Sequence, residues 1–281
     1  MPVLRSTLLV DAPIRTVAAA VRDVAVVRAT GPRAGTTARG DLLCTGDVLS
    51  FQVPLVPGVR VPMRTKIVRV DDTGLASELA SSDQLVRELR HDITLAETGA
   101  GTLVTDSVHW VSPWGPLGSV ADVLLMRRFV LRLLRRRGAA LRSRIAELVA
   151  APVVVAAAIV HKGHVLAQQR SYPEHLAGRW ELPGGRVEAG ETDEAALVRE
   201  CVEELGARIR VGERVGPDVP LPKGYVMRTY AATLADGDEL PEALEHLAVE
   251  WVPADRIAEL DWLDPDIALL PDIGELLTAA P

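Results

Sequence analysis

The sequence predicts two α+β domains, and three observations carry that expectation. At 281 residues with 48% hydrophobic side chains, the chain can bury two separate cores. Charge divides it sharply: residues 1–150 hold 20 Lys+Arg against 14 Asp+Glu, and residues 151–281 hold 11 against 24, so the halves carry +6 and −13. In both halves, runs with strand-like alternation or continuous β-branched residues are mixed with runs of helical periodicity. The expected boundary lies near Ala150 to Pro152, giving domains 1–150 and 151–281 with almost no linker.

In the first half, Leu4 to Val10 reads as a strand and Asp11-Ala12-Pro13 as a turn. An apolar-periodic stretch through Val17, Ala20, Val21 and Val24 reads as a helix. Further strands are expected at 47–53, 63–70, 88–95 and 101–108. A long helix follows over about 117–149, interrupted or bent near Gly138. That helix carries Arg127, Arg128, Arg132, Arg135, Arg136, Arg137, Arg142 and Arg144. Interspersed with them are Leu124, Leu125, Phe129, Leu133 and Leu134, a pattern that suits an amphipathic helix closing a sheet. An anionic-surface binder is the competing reading, and nucleic acid is not an expected partner. His91 and His109 sit in strands with no ligand spacing around them and are expected to be structural.

The segments STLLVDAPIRTVAAAVRD and SPWGPLGSVADVLLMRRFVLRLLRRRGAALRSRIAEL, with the strands between them, resemble the START-like polyketide cyclase/dehydrase (SRPBCC) superfamily over most of residues 1–149. The resemblance implies a helix-grip fold, a curved antiparallel sheet around a long C-terminal helix, with room for a small apolar ligand. It carries over no catalytic residue.

In the second half, Asp193 to Leu205 runs without Gly or Pro and sets Ala195, Ala196, Val198, Cys201, Val202 and Leu205 at spacings that suit a partly buried helix. Thr192 and Asp193 are credible caps, and Gly206 stands as the C′ glycine. Glu200, Glu203 and Glu204 then fall at i, i+3 and i+4, which brings three carboxylates to one face. Such crowding disfavours the ionised forms unless a cation compensates, and one Arg199 cannot neutralise all three. An oxygen-only acidic cluster suits Mg²⁺, with Mn²⁺ as an alternative; a solvated acidic face is the bland reading.

The segment GRVEAGETDEAALVRECVEELGA, Gly185 to Ala207, fills every specified position of the Nudix box: Gly185, Glu191, Arg199, Glu200, Cys201, Glu203, Glu204, Gly206 and Ala207. VVVAAAIV, HVLAQQR, GRWELPGG, YVMRTYAATL and EHLAVEWVPADRI extend the similarity to the MutT-like branch over about residues 152–277. That resemblance implies an α/β/α sandwich on a mixed sheet. It also implies hydrolysis of a nucleoside triphosphate to monophosphate and pyrophosphate by water attacking phosphorus. Glu200, Glu203, Glu204 and the Gly184 carbonyl look like metal ligands, and Arg199 looks like the residue orienting the glutamates, with Glu191 as its partner. Glu245 is similar in position to a loop carboxylate that serves as ligand or general base, in competition with Glu204. Arg170 sits where the branch places a substrate-contacting arginine.

Asp266 falls where the CTP pyrophosphohydrolase subgroup has an aspartate. An ionised carboxylate there accepts from the cytosine amino group; capping of the final helix is the alternative. The leading expectation is hydrolysis of a cytosine or modified pyrimidine (deoxy)nucleotide. An 8-oxo-dGTP or oxidised-purine triphosphatase comes second, and a sensor that binds without turnover is the reading from another class.

The two cysteines, Cys44 and Cys201, form no metal or redox pattern and are expected as buried free thiols. Met1-Pro2 leads directly into strand-like sequence, so the expected location is cytoplasmic. The longest apolar stretch, Leu148 to Val160, is interrupted by Pro152 and falls short of the roughly 20 residues a membrane-spanning helix needs.

Overall fold

The computed structural model describes residues 3–31, 34–56, 59–80, 86–111, 115–235 and 240–279, without the side chains of 54–56 and 115–125. It is a mixed α+β structure with two sheets. The chain divides into two compact units, Met1–Ala150 and Ala151–Pro281.

The first unit opens with β1 (Val3–Val10), α1 (Ile14–Arg22) and α2 (Val24–Thr30). One continuous helix was the expectation through Val24. Asp23 breaks it: the residue is extended, and its carboxylate caps α2 by accepting from the Ala25 amide at 2.6 Å. Five antiparallel strands come next, β3 (Val48–Val56), β4 (Val59–Asp71), β5 (Gly74–Leu79), β6 (Glu88–Thr98) and β7 (Gly101–Val111), after the two-residue β2 (Gly35–Thr36). The order across the sheet is β1-β7-β6-β5-β4-β3-β2, with every pair antiparallel. Strand β5 is invisible to a search for alternation because Gly74, Leu75, Ala76 and Ser77 are all buried in succession.

The unit ends in α3 (Gly115–Val149). It runs through Gly138 without the interruption expected there; a helical glycine costs only about 1 kcal/mol, less than the burial of its neighbours supplies. Met126, Val130, Leu134, Leu141, Ile145 and Leu148 are buried at helical spacing, and the first three join Val53, Met63, Leu89, Val108 and Trp110 in one core cluster. Leu124 and Leu125 have side chains outside the described set. Arg127, Arg128, Arg132, Arg135, Arg136 and Arg142 are exposed, whereas Arg144 binds Asp23 and Glu147 and Arg137 is buried. The helix is therefore a packing helix with a basic outer face.

The second unit contains β8 (Val153–His161), β9 (His164–Gln169), the short β10 (Trp180–Glu181) and β11 (Gly184–Arg186), and α4 (Asp193–Leu205). Then come β12 (Ile209–Pro220), β13 (Val226–Leu234), β14 (Ala248–Pro253), α5 (Asp264–Ile267) and α6 (Leu270–Ala279). The sheet runs β10-β9-β8-β13-β12, with β11 on β8 and β14 on β9. It is mixed, since β13 lies parallel to β8 and the remaining pairs are antiparallel.

On β8, Val155, Ala157 and Ile159 pack with Ala196, Leu197, Cys201 and Leu205 of α4. Ala156 and Ala158, pointing the other way, are buried as well, so both faces of this strand are covered. Strand β12 escaped the sequence reading because Gly212, Gly216 and Pro217 interrupt its alternation, and two register shifts there displace the pairing with β13. Among the described residues no helix is long and apolar enough to cross a membrane. Cys201 is buried as expected, but Cys44 is only half-buried.

Candidate active site

Helix α4 has the bounds that its composition dictates. Thr192 caps it by accepting from the Ala195 amide at 3.2 Å, and Gly206 closes it with φ 66°. One face enters the core through Ala196, Leu197, Cys201 and Leu205. That burial leaves Arg199, Glu200, Glu203 and Glu204 to meet the segment that runs up to the helix.

Arg199 is the hub of this meeting. Its Nε and Nη2 donate to the two oxygens of Glu191 at 2.8 and 3.0 Å, a bidentate pair. Nη1 donates to Glu200 Oε1 at 2.9 Å and to Glu203 Oε2 at 3.1 Å, and Nη2 also reaches the Arg186 carbonyl at 3.0 Å. The bond to Glu191, with Glu200 adding to it, raises the proton affinity of the guanidinium above its ordinary value. Glu191 is correspondingly held below the usual carboxylate range, first of all by Arg199.

Glu204 belongs to a different set of partners. Its Oε2 accepts from Gln168 Nε2 at 2.9 Å and from the Gly184 amide at 3.1 Å, and His246 Nε2 stands 3.9 Å from its Oε1. Burial pushes its proton affinity up, against the lowering effect of Gln168, His246 and Gly184. Along the one helix face on which the sequence places them, the three carboxylates take different partners. Glu200 and Glu203 turn to the five-donor fork of Arg199, and Glu204 turns to Gln168. Among the described residues, no three His, Cys, Asp or Glu side chains gather closely enough to hold a metal ion.

The approach segment is shaped by glycine. At Gly184 φ is 152°, and a β-carbon would stand 2.0 Å from the Val155 carbonyl oxygen; at Gly185 it would stand 2.2 Å from the Glu200 carboxylate. This closeness lets β11 pair with β8 while its backbone lies against α4.

A second polar chain continues from Glu204. His246 Nε2 lies 3.1 Å from Glu181 Oε1, and Glu181 Oε2 is ion-paired with Arg170 Nη1. Arg170 also donates from Nε to the Tyr172 carbonyl at 2.9 Å, and its guanidinium lies 5.9 Å from the Tyr172 ring centre. Asp266 is buried, and its Oδ1 accepts from the Leu182 amide at 3.2 Å. Burial pushes its carboxyl up to about 7, with Leu182 acting in the opposite direction. It is not the N-cap of α5, within which it lies: that position is Leu263, with no side-chain cap.

Glu245 lies on an exposed loop, where its carbonyl accepts from Ser171 Oγ at 2.9 Å. Its neighbour His246 is the residue whose side chain enters the polar chain. Sequence reasoning missed Gln168, Glu181 and His246. A glutamine inside the buried run of β9 was the available signal for the first. Glu181 lies within GRWELPGG and His246 follows Glu245 in EHLAVEWVPADRI, but neither had a spacing signal of its own.

An acidic helix face clamped by one arginine thus lies next to a glycine-lined backbone approach. A NUDIX domain model matches residues 150–273. The chain is 45% identical over 131 residues to the putative 8-oxo-dGTP diphosphatase 2 of Mycobacterium tuberculosis H37Rv, covering 46% of this chain and 92% of that protein. It is 36% identical over 128 residues to the CTP pyrophosphohydrolase of Escherichia coli K12, covering 46% and 95% respectively. The solution structure of the E. coli ORF135 protein matches with 35% identity and a TM-score of 0.41, over 46% of this chain and 93% of that one. The chain belongs to the Nudix family, and its C-terminal unit is a pyrophosphohydrolase enzyme. Membership sets aside the reading as a sensor without turnover.

Proposed function

We propose that the second unit converts a nucleoside triphosphate, preferably a cytosine or modified pyrimidine (deoxy)nucleotide, to monophosphate and pyrophosphate with Mg²⁺. The observation that carries the reading is the Arg199 clamp, which aligns Glu200 and Glu203 on the same helix face as the partly buried Glu204. The donor set fits a hard divalent cation, with Mn²⁺ as the alternative. Three carboxylates and the Gly184 carbonyl are oxygen donors, and Glu203 is half-exposed. The bound ion supplies compensation for the charge of the phosphates and of the glutamates.

The chain's own groups complete the chemistry. Glu204, partly buried and with raised proton affinity, takes the proton of the attacking water. Gln168 and the Gly184 amide hold its carboxylate in place, and Arg199 keeps its neighbours oriented. Glu245 remains a rival base only if its exposed loop closes over substrate. Arg170 contacts the nucleotide from its place on Glu181.

Asp266 reads the base. A carboxyl titrating near neutrality accepts from the cytosine amino group when ionised and donates to a ring acceptor when protonated. The E. coli relative's name supports the cytosine reading. The higher identity to the M. tuberculosis relative supports the second one, an 8-oxo-dGTP diphosphatase. Hydrolysis of a panel containing dCTP, 5-substituted dCTP, dGTP and 8-oxo-dGTP, with product identification and with and without chelator, separates them. A preference for 8-oxo-dGTP over every pyrimidine reverses the order.

The first unit we assign to the START-like (SRPBCC) group. The support is its antiparallel seven-strand order with α1 and α2 between β1 and β2, and the long helix that follows the last strand.

A further inference from the structure

One carboxylate connects the polar groups of the second unit's site. Glu181 is the last residue of β10, and in the register of that strand with β9 it lies directly across from Gln168, the glutamine that donates to Glu204. Its side chain is only 12% exposed, and both of its oxygens are engaged. Oε1 lies 3.1 Å from His246 Nε2, and Oε2 is ion-paired with Arg170 Nη1. His246 Nε2 in turn stands 3.9 Å from Glu204 Oε1. The next residue along the chain, Leu182, donates its amide to Asp266. Glu181 thus stands between the groups assigned to the nucleotide, Arg170 and Asp266, and the group assigned to the attacking water, Glu204.

A carboxylate so far out of water needs compensation, and one cation would supply it. Here the two oxygens take partners from different segments, Arg170 from the end of β9 and His246 from the loop before β14. Arg170 is the more exposed member, at 30%. Glu181 and the Tyr172 carbonyl, which accepts from Nε at 2.9 Å, fix the plane of a guanidinium that would otherwise sample many rotamers. The field of the carboxylate reaches both ends of the site: burial is the first cause of the raised proton affinity of Glu204 and of Asp266, and the charge of Glu181 adds to each.

We propose, on the reading of the second unit as a nucleoside triphosphate hydrolase, that Glu181 is a positioning residue for the reaction. One oxygen sets Arg170 for the nucleotide and the other holds His246 against Glu204, so that binding and turnover share one anchor.

Steady-state kinetics of the full chain with Mg²⁺, on dCTP and on 8-oxo-dGTP, separate the two oxygens. Arg170→Ala should raise KM about tenfold or more and leave kcat near its wild-type value, the range of one hydrogen bond to a charged group. His246→Ala should lower kcat about tenfold and leave KM. Glu181→Ala should do both. In the Arg170→Ala background Glu181→Ala should raise KM no further, and in the His246→Ala background it should lower kcat no further, because each effect has already been removed. A merely structural carboxylate would add its losses in every background. Should Glu181→Ala not fold, the isosteric Glu181→Gln enters the same two cycles. Additive effects in either cycle, or a Glu181 variant with wild-type KM and kcat, overturn the role of Glu181 alone. A wild type that hydrolyses neither nucleotide overturns the hydrolase reading and this role with it.

Discussion

A β-carbon on Gly185 would stand 2.2 Å from the carboxylate of Glu200, so the backbone of the approach segment and the helix carboxylate occupy adjoining space with no room for a methyl group. Gly185 does not need a left-handed φ, and the obstacle is the far end of a side chain. Gly185→Ala should therefore fold with a near-normal melting temperature and displace Glu200, lowering kcat by about tenfold to a hundredfold. Normal turnover in this variant would show that Glu200 is not needed where it stands.

Arg199 joins Glu191, Glu200, Glu203 and the Arg186 carbonyl through a planar fork that lysine cannot reproduce. Arg199→Lys should lower kcat by about tenfold or more. Its effect on stability should be small, about 1 kcal/mol or less, because the side chain is partly exposed and its ion pairs are screened. Denaturant unfolding and steady-state kinetics measured together check this. A large loss of stability with intact kcat would make the clamp structural.

Glu204→Gln keeps an acceptor for Gln168 and Gly184 and removes the charge. Turnover should fall by about a hundredfold or more with folding intact, as for loss of a group that stabilises charge developing on phosphate. Chelation should abolish wild-type activity and added Mg²⁺ should restore it. The assignment fails if Glu204→Gln turns over normally at limiting Mg²⁺.

Asp266 carries a stability signature as well as a selectivity one. Its folded value of about 7 lies above the ordinary 3.8, so the folded state holds the proton more tightly than the unfolded state. Its contribution is fully present below about pH 4, declines as pH rises toward 7 and is gone above that, a change of about 4 kcal/mol at most. Relative to Asp266→Asn, the wild type should lose stability between pH 4 and 7 and stay level above pH 8, as read from denaturant midpoints. No change in the difference across that range would mean that Asp266 is ionised throughout.

Base selectivity is the other half of that residue's test. Asp266→Ala should raise KM for dCTP about tenfold to a hundredfold more than for a poorly recognised purine nucleotide. Equal losses on all bases would make Asp266 a purely structural group.

Local sequence was enough for α4, its Thr192 cap, its Gly206 stop and the alignment of Glu200, Glu203 and Glu204 on one face, because helix geometry and capping act over only a few residues. Alternation likewise marked most strands of the first unit, where one face is buried and the other wet. It failed for β5, buried along successive residues, and for β12, whose glycines and register shifts hide the period. Asp23 was unreadable as a helix break, since the same residue caps α2 and binds Arg144, 121 positions away in sequence.

The partners of Glu204 lie in the same category. Gln168, the Gly184 amide and His246 come from β9, β11 and the loop before β14, and no spacing rule relates them. The sequence by itself determined the acidic helix face and the glycine-rich approach to it. The tertiary structure decided how that charge is shared, with Arg199 taking Glu200 and Glu203 while burial sets Glu204 and Asp266 apart. The physical reason is that desolvation and ion pairing depend on distances between segments, which the order of residues along the chain does not contain.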